Sequence, residues 1–153
     1  MPDTQMRREI LEIPTATARL IENGSGDIKA AAAALRVTDP QFLVSVARGS
    51  SDHVTTYLKY ASELLMGRAI ASIGPSIASI YNRPLSLSGS ACLSVSQSGK
   101  SPDIVAMARS AQSAGALSIV MTNNPQSPLS AVSDHTLNLH AGSEISVAAT
   151  KTF

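Results

Sequence analysis

The first quarter of the chain carries a helical spacing of apolar residues that is interrupted by helix breakers. This spacing predicts a helix over residues 5–21, which Pro14 kinks or splits in two. The small and polar residues at 23–26 predict a turn that ends this helix. An Ala-rich stretch at 28–35 predicts a short second helix. Together these patterns predict an N-terminal helical segment over residues 1–38.

From residue 39 onward, short apolar runs alternate with amphipathic stretches. The runs have the length and composition of buried strands and cover residues 42–47, 69–73, 92–95, 116–121 and 135–139. The helical patterns between them cover residues 54–65, 75–81, 102–115 and 129–132. This alternation is typical of a parallel sheet covered by helices on both faces. We therefore predict an α/β fold, a three-layer α/β/α sandwich with a five-stranded parallel sheet in the flavodoxin-like order 2-1-3-4-5.

The composition argues against several classes of binding partner. The chain has 153 residues and a formal net charge of +1, with 12 Lys and Arg against 11 Asp and Glu. So small a charge gives no general field for nucleic acid or anionic lipid, and aromatic residues at 3% offer few stacking faces. A single Cys excludes an internal disulfide framework and a four-Cys zinc site. We expect no nucleic acid, no membrane, no metal and no other cofactor.

The sequence also bears on location. No stretch approaches the roughly 18 consecutive apolar residues of a membrane span. The charges near the N-terminus are not followed by the apolar core of a secretory signal. A free Cys92 within an apolar run suits a reducing compartment. We expect a cytoplasmic protein.

Two clusters of serine and glycine carry the candidate chemistry. Gly49, Ser50 and Ser51 follow the first predicted strand, and residues 96–101 follow the third. In the order 2-1-3-4-5 these strands are neighbours, and open α/β sheets bind ligands in the crevice between their carboxyl ends. Hydroxyl groups, a close-approaching glycine backbone and the free N–H groups of a following helix suit an anion such as phosphate. The candidates in the second cluster are Ser96, Gln97, Ser98, Gly99 and Ser101.

The same residues also suit plainer roles. Ser101 precedes Pro102 as an N-cap residue does, and Ser50 and Ser51 also suit helix capping. A nucleotide-binding P-loop is disfavoured, because Ser94 stands where that motif has its first glycine. What favours a ligand is the presence of both clusters at adjacent strand ends.

Other polar residues give weaker signals. His53, His135 and His140 lack the spacing of a metal site and have no carboxylate or Cys cluster beside them. Arg48 and Lys100 lie near the crevice, where each either pairs with an anion or is solvated. These residues therefore suggest no metal chemistry and no nucleophilic triad.

The end of the chain reads as the start of another helix. Residues 144–153 contain no glycine, proline or polar tail that would end it. We therefore expect the chain to be the N-terminal piece of a longer protein. On this view residues 39–153 form a domain that is followed by a second one.

Three motifs in order resemble the sugar isomerase (SIS) domain over about residues 40–153: the clusters at 49–51 and 96–103, and the stretch at 141–151. The nearest likeness is to the isomerase half of glucosamine-6-phosphate synthase and its stand-alone relatives. In that family two SIS domains occur in tandem and the first binds the sugar phosphate. The resemblance implies a small-molecule sugar phosphate as ligand and a homodimer. It implies a substrate site formed by Gly49, Ser50, Ser51, Ser96, Gln97, Ser98, Gly99, Ser101, Val147 and Ala149.

Departures from the synthase point to its glutaminase-free relatives. Pro2 stands where the glutaminase domain has its nucleophilic Cys, so glutamine hydrolysis is not expected in this chain. Lys100 replaces a Glu of the synthase, and Ala149 replaces a Ser. The resemblance thus implies an aldose–ketose isomerase or deaminase of aminosugar phosphates. In the family the general acid and base lie in the second domain and tail, so no catalytic residue is expected within residues 1–153.

Two other functions remain open from the sequence. SIS domains also serve as phosphosugar sensors in regulators, but residues 1–36 show no basic stripe of a DNA-binding helix-turn-helix. The other function that remains open is a flavodoxin-like protein that binds a nucleotide or a flavin. The absence of Trp and the presence of only three Tyr speak mildly against flavin stacking.

Overall fold

The computed structural model describes residues 4–146 and 149–152. The helices are α1 (Gln5–Leu11), α2 (Ile13–Asn23), α3 (Ser25–Thr38), α4 (Ser50–Met66), α5 (Ser76–Ser79) and α6 (Pro102–Ser113), with a 3-10 turn at Ser130–Val132. The strands are β1 (Phe42–Val46), β2 (Ile70–Ser72), β3 (Ser90–Val95), β4 (Leu117–Thr122) and β5 (His135–Asn138). Among the described residues, no helix has the length and apolar character needed to span a membrane.

All five strands form one parallel sheet in the order β2-β1-β3-β4-β5, which confirms the predicted three-layer architecture and strand order. β1 lies between β2 and β3, with Val44 opposite Ala71 on one side and Cys92 on the other. Because the strands are parallel, β1 and β3 end side by side at the same edge. The loops that follow them are therefore brought together by the sheet itself.

A core between α6 and the sheet supports this edge. Ile104, Met107 and Ala111 of α6 recur at the i, i+3, i+7 spacing of an amphipathic helix, and each is almost fully buried. They belong to one apolar cluster with Val46 and Val120. Burial of each large side chain contributes about 1.5–3 kcal/mol. A smaller cluster contains Leu43, Ile70 and Ala91.

The N-terminal helices differ from the prediction at one point. Pro14 splits the predicted helix into α1 and α2 and lies in the first turn of α2, where a missing N–H removes no hydrogen bond. The predicted helix ends at Asn23, as expected, but the predicted turn at residues 23–26 is reduced to Gly24, because α3 begins at Ser25. Gly24 keeps near-helical angles (φ −84°, ψ −8°), and its N–H donates to the Leu20 carbonyl at 2.8 Å. The chain therefore passes from α2 to α3 without a loop.

The predicted helix at the end of the chain is wrong for the described residues there, 144–146 and 149–152, which we call the closing segment. A helix would direct the N–H groups of Thr150 and Lys151 at carbonyls four residues back. Both N–H groups instead donate to the side-chain carboxylate of Glu144. The Glu144 side chain thus accepts the N–H groups that a helix would use, and the chain forms a local turn.

Candidate functional site

The two predicted clusters meet at the carboxyl edge of the sheet. A cavity of about 290 Å³ is lined by Ser50 and Ser51, which follow β1, and by Gln97 from residues 96–101, which we call the β3–α6 loop. The sheet also fixes this loop, because the Ser96 N–H donates to the Met121 carbonyl at 3.1 Å. The juxtaposition that the strand order predicts is therefore present.

The turn after β1 leaves the start of α4 without a side-chain cap. Gly49 adopts φ 58° and ψ −135°, a conformation that residues with a Cβ rarely reach. Within the described part of the chain, no side-chain hydrogen bond caps α4. The hydroxyls of Ser50 and Ser51 consequently do not serve as the caps that the sequence also allowed, and both border the cavity.

The start of α6 has the same property. Ser101 occupies the N-cap position that the sequence predicts, but no side chain of the described residues makes the capping hydrogen bond. Pro102 has no N–H, and the Asp103 carboxylate accepts the Ile104 N–H, so this helix start offers an anion the Asp103 N–H and the positive end of the helix dipole. Capping does not use the Ser101 hydroxyl, and its side chain is only half-buried.

Gly99 packs the β3–α6 loop tightly against its neighbours. Its φ is +63°, and a Cβ placed on it would lie 2.1 Å from the Ser127 Oγ and 3.1 Å from the Thr122 Oγ1. The Gly99 carbonyl accepts the Leu129 N–H at 3.1 Å, and the Gly99 N–H donates to the Ser96 carbonyl at 3.2 Å. The loop therefore has a fixed backbone and tolerates no side chain at this position.

The two basic residues near the crevice have different surroundings. The Arg48 guanidinium donates to the Asp103 carboxylate at 2.8 Å, which ties the end of β1 to the first turn of α6. The Arg48 side chain is 67% exposed, so this pair contributes about 0–1 kcal/mol to stability. Lys100 is exposed and does not line the cavity. The Asp103 carboxylate also accepts the Ile104 N–H, as expected for an acidic residue at a helix start.

The ten predicted site residues fall into three groups. Those in the cavity wall are Ser50, Ser51, Gln97 and Ala149. Those in the loops at the same edge that do not line the cavity are Gly49, Ser96, Ser98, Gly99 and Ser101. Val147 lies outside the described residues.

The sequence missed one wall of the cavity. Ala16, Thr17 and Leu20 of α2 line it, although the sequence assigned no function to the N-terminal helices. Ala16 and Leu20, four residues apart, mark the inward side of α2, and Ala16 is 3% exposed. That spacing was the available signal for an inward face, but it does not reveal what the face covers.

A buried carboxylate of α1 holds the closing segment. Glu9 is 0% exposed, and its carboxylate accepts the N–H groups of Ile145 at 2.7 Å and Ser146 at 3.1 Å, and the Gln5 amide at 3.1 Å. The buried Ser146 hydroxyl lies beside the same carboxylate. This hydroxyl, and next the Ile145 N–H, lower the pKa of Glu9 to about 2. The carboxylate therefore stays ionised in any ordinary buffer.

Two further contacts hold the same part of the chain. The Lys151 side chain is 3% exposed and lines the cavity, and its ammonium group forms an ion pair with Glu12, the C-cap residue of α1. The Arg19 guanidinium of α2 donates to the carbonyls of His140 at 3.0 Å and Ala141 at 2.8 Å. Side chains of α1 and α2 thus fasten the chain on both sides of residue 144.

Comparison with known proteins identifies the family. The family model of the SIS domain matches residues 38–153. This chain belongs to the SIS domain family. The predicted family resemblance is confirmed, and the matched region contains all the residues of the two loops.

Relatives of this SIS domain are phosphosugar enzymes by name. The chain is 32% identical over 149 residues to the isomerizing glutamine–fructose-6-phosphate aminotransferase of Sulfurisphaera tokodaii, covering 97% of this chain and 25% of that protein. A protein of Silicibacter pomeroyi DSS-3, provisionally named a phosphosugar isomerase, is 60% identical with a TM-score of 0.94 over 97% of this chain and 46% of its own. The C-terminal domain of glucosamine–fructose-6-phosphate aminotransferase from Francisella tularensis is 25% identical with a TM-score of 0.84, over 99% and 44%.

The chain thus spans about a quarter of the archaeal aminotransferase and just under half of the two solved relatives. The match to the SIS family model begins at residue 38, so α1 and α2 precede it. The cavity of this SIS domain nevertheless includes three residues of α2: Ala16, Thr17 and Leu20.

The described residues of the cavity wall are nearly all uncharged. Among the described residues of the cavity wall, Lys151 alone is ionisable, and Glu12 pairs with it. Over residues 4–146 and 149–152 no group of three or more His, Cys, Asp or Glu side chains is arranged to hold a metal. Burial raises the pKa of the Cys92 thiol to about 11, so this residue is a core side chain and not a nucleophile.

Proposed function

We propose that this SIS domain is the phosphosugar-binding half of an aminosugar-phosphate aldose–ketose isomerase or deaminase. Its ligand is glucosamine 6-phosphate, fructose 6-phosphate or a close relative. The observation that carries the proposal is that Ser50 and Ser51 line one cavity together with Gln97 of the β3–α6 loop. The isomerizing aminotransferase among its relatives supports the same class of substrate.

The β3–α6 loop supplies the phosphate subsite. The hydroxyls of Ser96, Ser98 and Ser101 donate to phosphate oxygens, and Gly99 keeps the loop backbone in one conformation. The uncapped starts of α4 and α6 add N–H groups and helix dipoles. Neutral donors of this kind hold a dianion in a chain whose net charge is only +1.

The cavity takes the sugar. Its volume of about 290 Å³ lies at the small end of ligand pockets, which suits a hexose chain better than a nucleotide. Ser50, Ser51 and Gln97 offer hydroxyl and amide groups to sugar hydroxyls, and Gly49 lets the backbone approach them. Val147 and Ala149 lie beside the sugar.

The reaction is proton transfer between C1 and C2 of the open-chain sugar phosphate, with loss of ammonia in a deaminase. A base and a group that stabilises the developing oxyanion suffice for this, and no metal or redox cofactor takes part. The base comes from outside residues 1–153, from a second SIS domain that follows this first one at 39–153. Phosphate binding here orients the reacting carbons at a distance. The protein works in the cytoplasm.

An exposed apolar stripe on α4 supports packing against another folded domain or subunit. Tyr57, Tyr60, Leu64 and Leu65 recur at i, i+3, i+7 and i+8 and are 77%, 64%, 81% and 85% exposed. Such a stripe is the expected contact of a homodimer or of the second SIS domain.

A phosphosugar sensor is the second candidate. It is favoured by the cavity wall, whose described residues include no acid and no base apart from the paired Lys151. A protein that contains both domains and turns over no hexosamine 6-phosphate, yet binds one, is such a sensor.

Calorimetric titration of the chain tests the proposal. Glucosamine 6-phosphate should bind, and glucosamine without the phosphate should not. The double change Ser96→Ala and Ser98→Ala should weaken binding about tenfold or more, because two hydrogen bonds to a charged group are lost. Ser113→Ala, an exposed change at the far end of α6, is the control. Equal binding of both sugars contradicts the phosphate subsite.

A further inference from the structure

We infer that Glu9 of α1 and Glu12, the C-cap residue of that helix, are positioning residues for the sugar end of this site, because they hold the closing segment where it forms the cavity wall. The inference rests on the proposed function. It adds to the substrate site two carboxylates that lie ahead of the region matched by the SIS family model.

Glu9 is the buried residue of α1. The apolar side chains of this helix are exposed: Met6 is 38%, Ile10 45% and Leu11 67% accessible. Apolar packing therefore attaches α1 to the domain only in part, and the Glu9 carboxylate supplies the buried attachment through its bonds to the backbone of the closing segment. A fully buried carboxylate is costly unless several donors satisfy it, and two of its donors are N–H groups of that segment.

Glu12 is the C-cap residue of α1, three residues beyond Glu9 and on the same face of the helix. Its carboxylate pairs with the Lys151 ammonium, which is buried at the cavity wall. A buried ammonium group without a counter-charge is strongly unfavourable. Glu12 therefore supplies the counter-charge for Lys151 and holds its side chain beside the cavity.

The two carboxylates bracket the part of the closing segment that meets the ligand. Glu9 binds it at Ile145 and Ser146, and Glu12 binds it at Lys151. Ala149, Lys151 and Thr152 line the cavity between and beside these attachments. None of the bonds that α1 makes to this segment involves the β3–α6 loop, so loss of either carboxylate should affect the sugar end and spare the phosphate end.

Two probes separate a positioning role from a general structural one. Inorganic phosphate reports the β3–α6 loop alone, and glucosamine 6-phosphate reports both ends of the site. Glu9→Gln should lower the affinity for glucosamine 6-phosphate about tenfold and leave that for inorganic phosphate within about twofold. Glu12→Gln, at a residue whose side chain is 47% exposed, should give the same pattern at about threefold. Glu22→Gln, an exposed change on α2, is the matched control.

Hydrogen exchange measures independently how firmly Glu9 holds the closing segment. In Glu9→Gln the amide hydrogens of Ile145 and Ser146 should exchange at least about tenfold faster. The amide hydrogen of Leu129, which bonds to the Gly99 carbonyl in the β3–α6 loop, should keep its exchange rate.

The outcomes are distinct. Unchanged affinity for glucosamine 6-phosphate in both variants overturns the inference alone, and so does an equal loss for both probes. If the wild-type chain binds neither probe, the proposed function fails and the inference fails with it. Should Glu9→Gln not fold, Glu12→Gln decides the question by the same split.

Discussion

The β3–α6 loop and the closing segment border the same site but are held in opposite ways. Backbone groups of the domain fix the loop: the N–H groups of Ser96 and Leu129 and the carbonyl of Gly99 all take part. Side-chain carboxylates fix the closing segment, from Glu9 and Glu12 outside it and from Glu144 within it. The loop therefore depends on backbone geometry and is insensitive to charge, whereas the closing segment depends on ionised groups.

The largest effect should come from crowding the loop. Gly99→Ala places a Cβ against Ser127 in a left-handed conformation, so strain and overpacking together should cost about 3 kcal/mol. For a domain of this size that lowers Tm by roughly 6–12 °C. Thermal unfolding measures it, and phosphate binding should be lost.

Gly26→Ala provides the control for that change. Nothing lies within 4 Å of the added Cβ, and Gly26 is within α3, so the change should be neutral or slightly stabilising. If the two alanine variants unfold at the same temperature, the close packing described for Gly99 is wrong.

An intermediate effect should appear with pH at the closing segment. The pKa of Glu9 is about 2 in the folded chain against an ordinary value of 4.5. The contribution of Glu9 to stability is therefore complete above about pH 4.5 and is lost as the pH falls toward about 2. Tm of the wild type should fall more steeply across this window than Tm of Glu9→Gln.

Glu22→Gln should follow the wild type in the same titration, since Glu22 is exposed. Parallel curves for wild type and Glu9→Gln speak against an ionised carboxylate as the attachment of α1.

The smallest effect should come from the Arg48–Asp103 ion pair, which ties the end of β1 to the first turn of α6. A double-mutant cycle with Arg48→Ala and Asp103→Ala should give a coupling of about 0–1 kcal/mol, because Arg48 is largely exposed. Denaturant unfolding measures it. A coupling of several kcal/mol means that this pair, and not the backbone, organises the crevice.

The two regions also differ in how far the sequence predicts them. The β3–α6 loop was predictable, since a strand, a Ser- and Gly-containing loop and a helix follow in order, and parallel strand order brings Ser50 and Gln97 together. The attachment of the closing segment to Glu9 was not predictable, because Glu9 in an exposed helix has the pattern of a solvated residue and only the tertiary fold buries it.

The two errors of secondary structure have different causes. Gly24 and Gly26 permit a turn but also tolerate helical angles, and the pattern at 23–26 cannot distinguish these outcomes. The end of the chain has helical composition, but carboxylates of Glu9 and Glu144 take its N–H groups. Side-chain competition for the backbone depends on contacts distant in sequence, which spacing does not record.

The most direct test of the central claim is a crystal structure of the chain with glucosamine 6-phosphate bound. The account predicts phosphate oxygens at hydrogen-bond distance, about 2.5–3.2 Å, from the hydroxyls of Ser96, Ser98 and Ser101, with the sugar between Ser50 and the closing segment. A phosphate group bound anywhere else on the chain, with the β3–α6 loop empty, would contradict it.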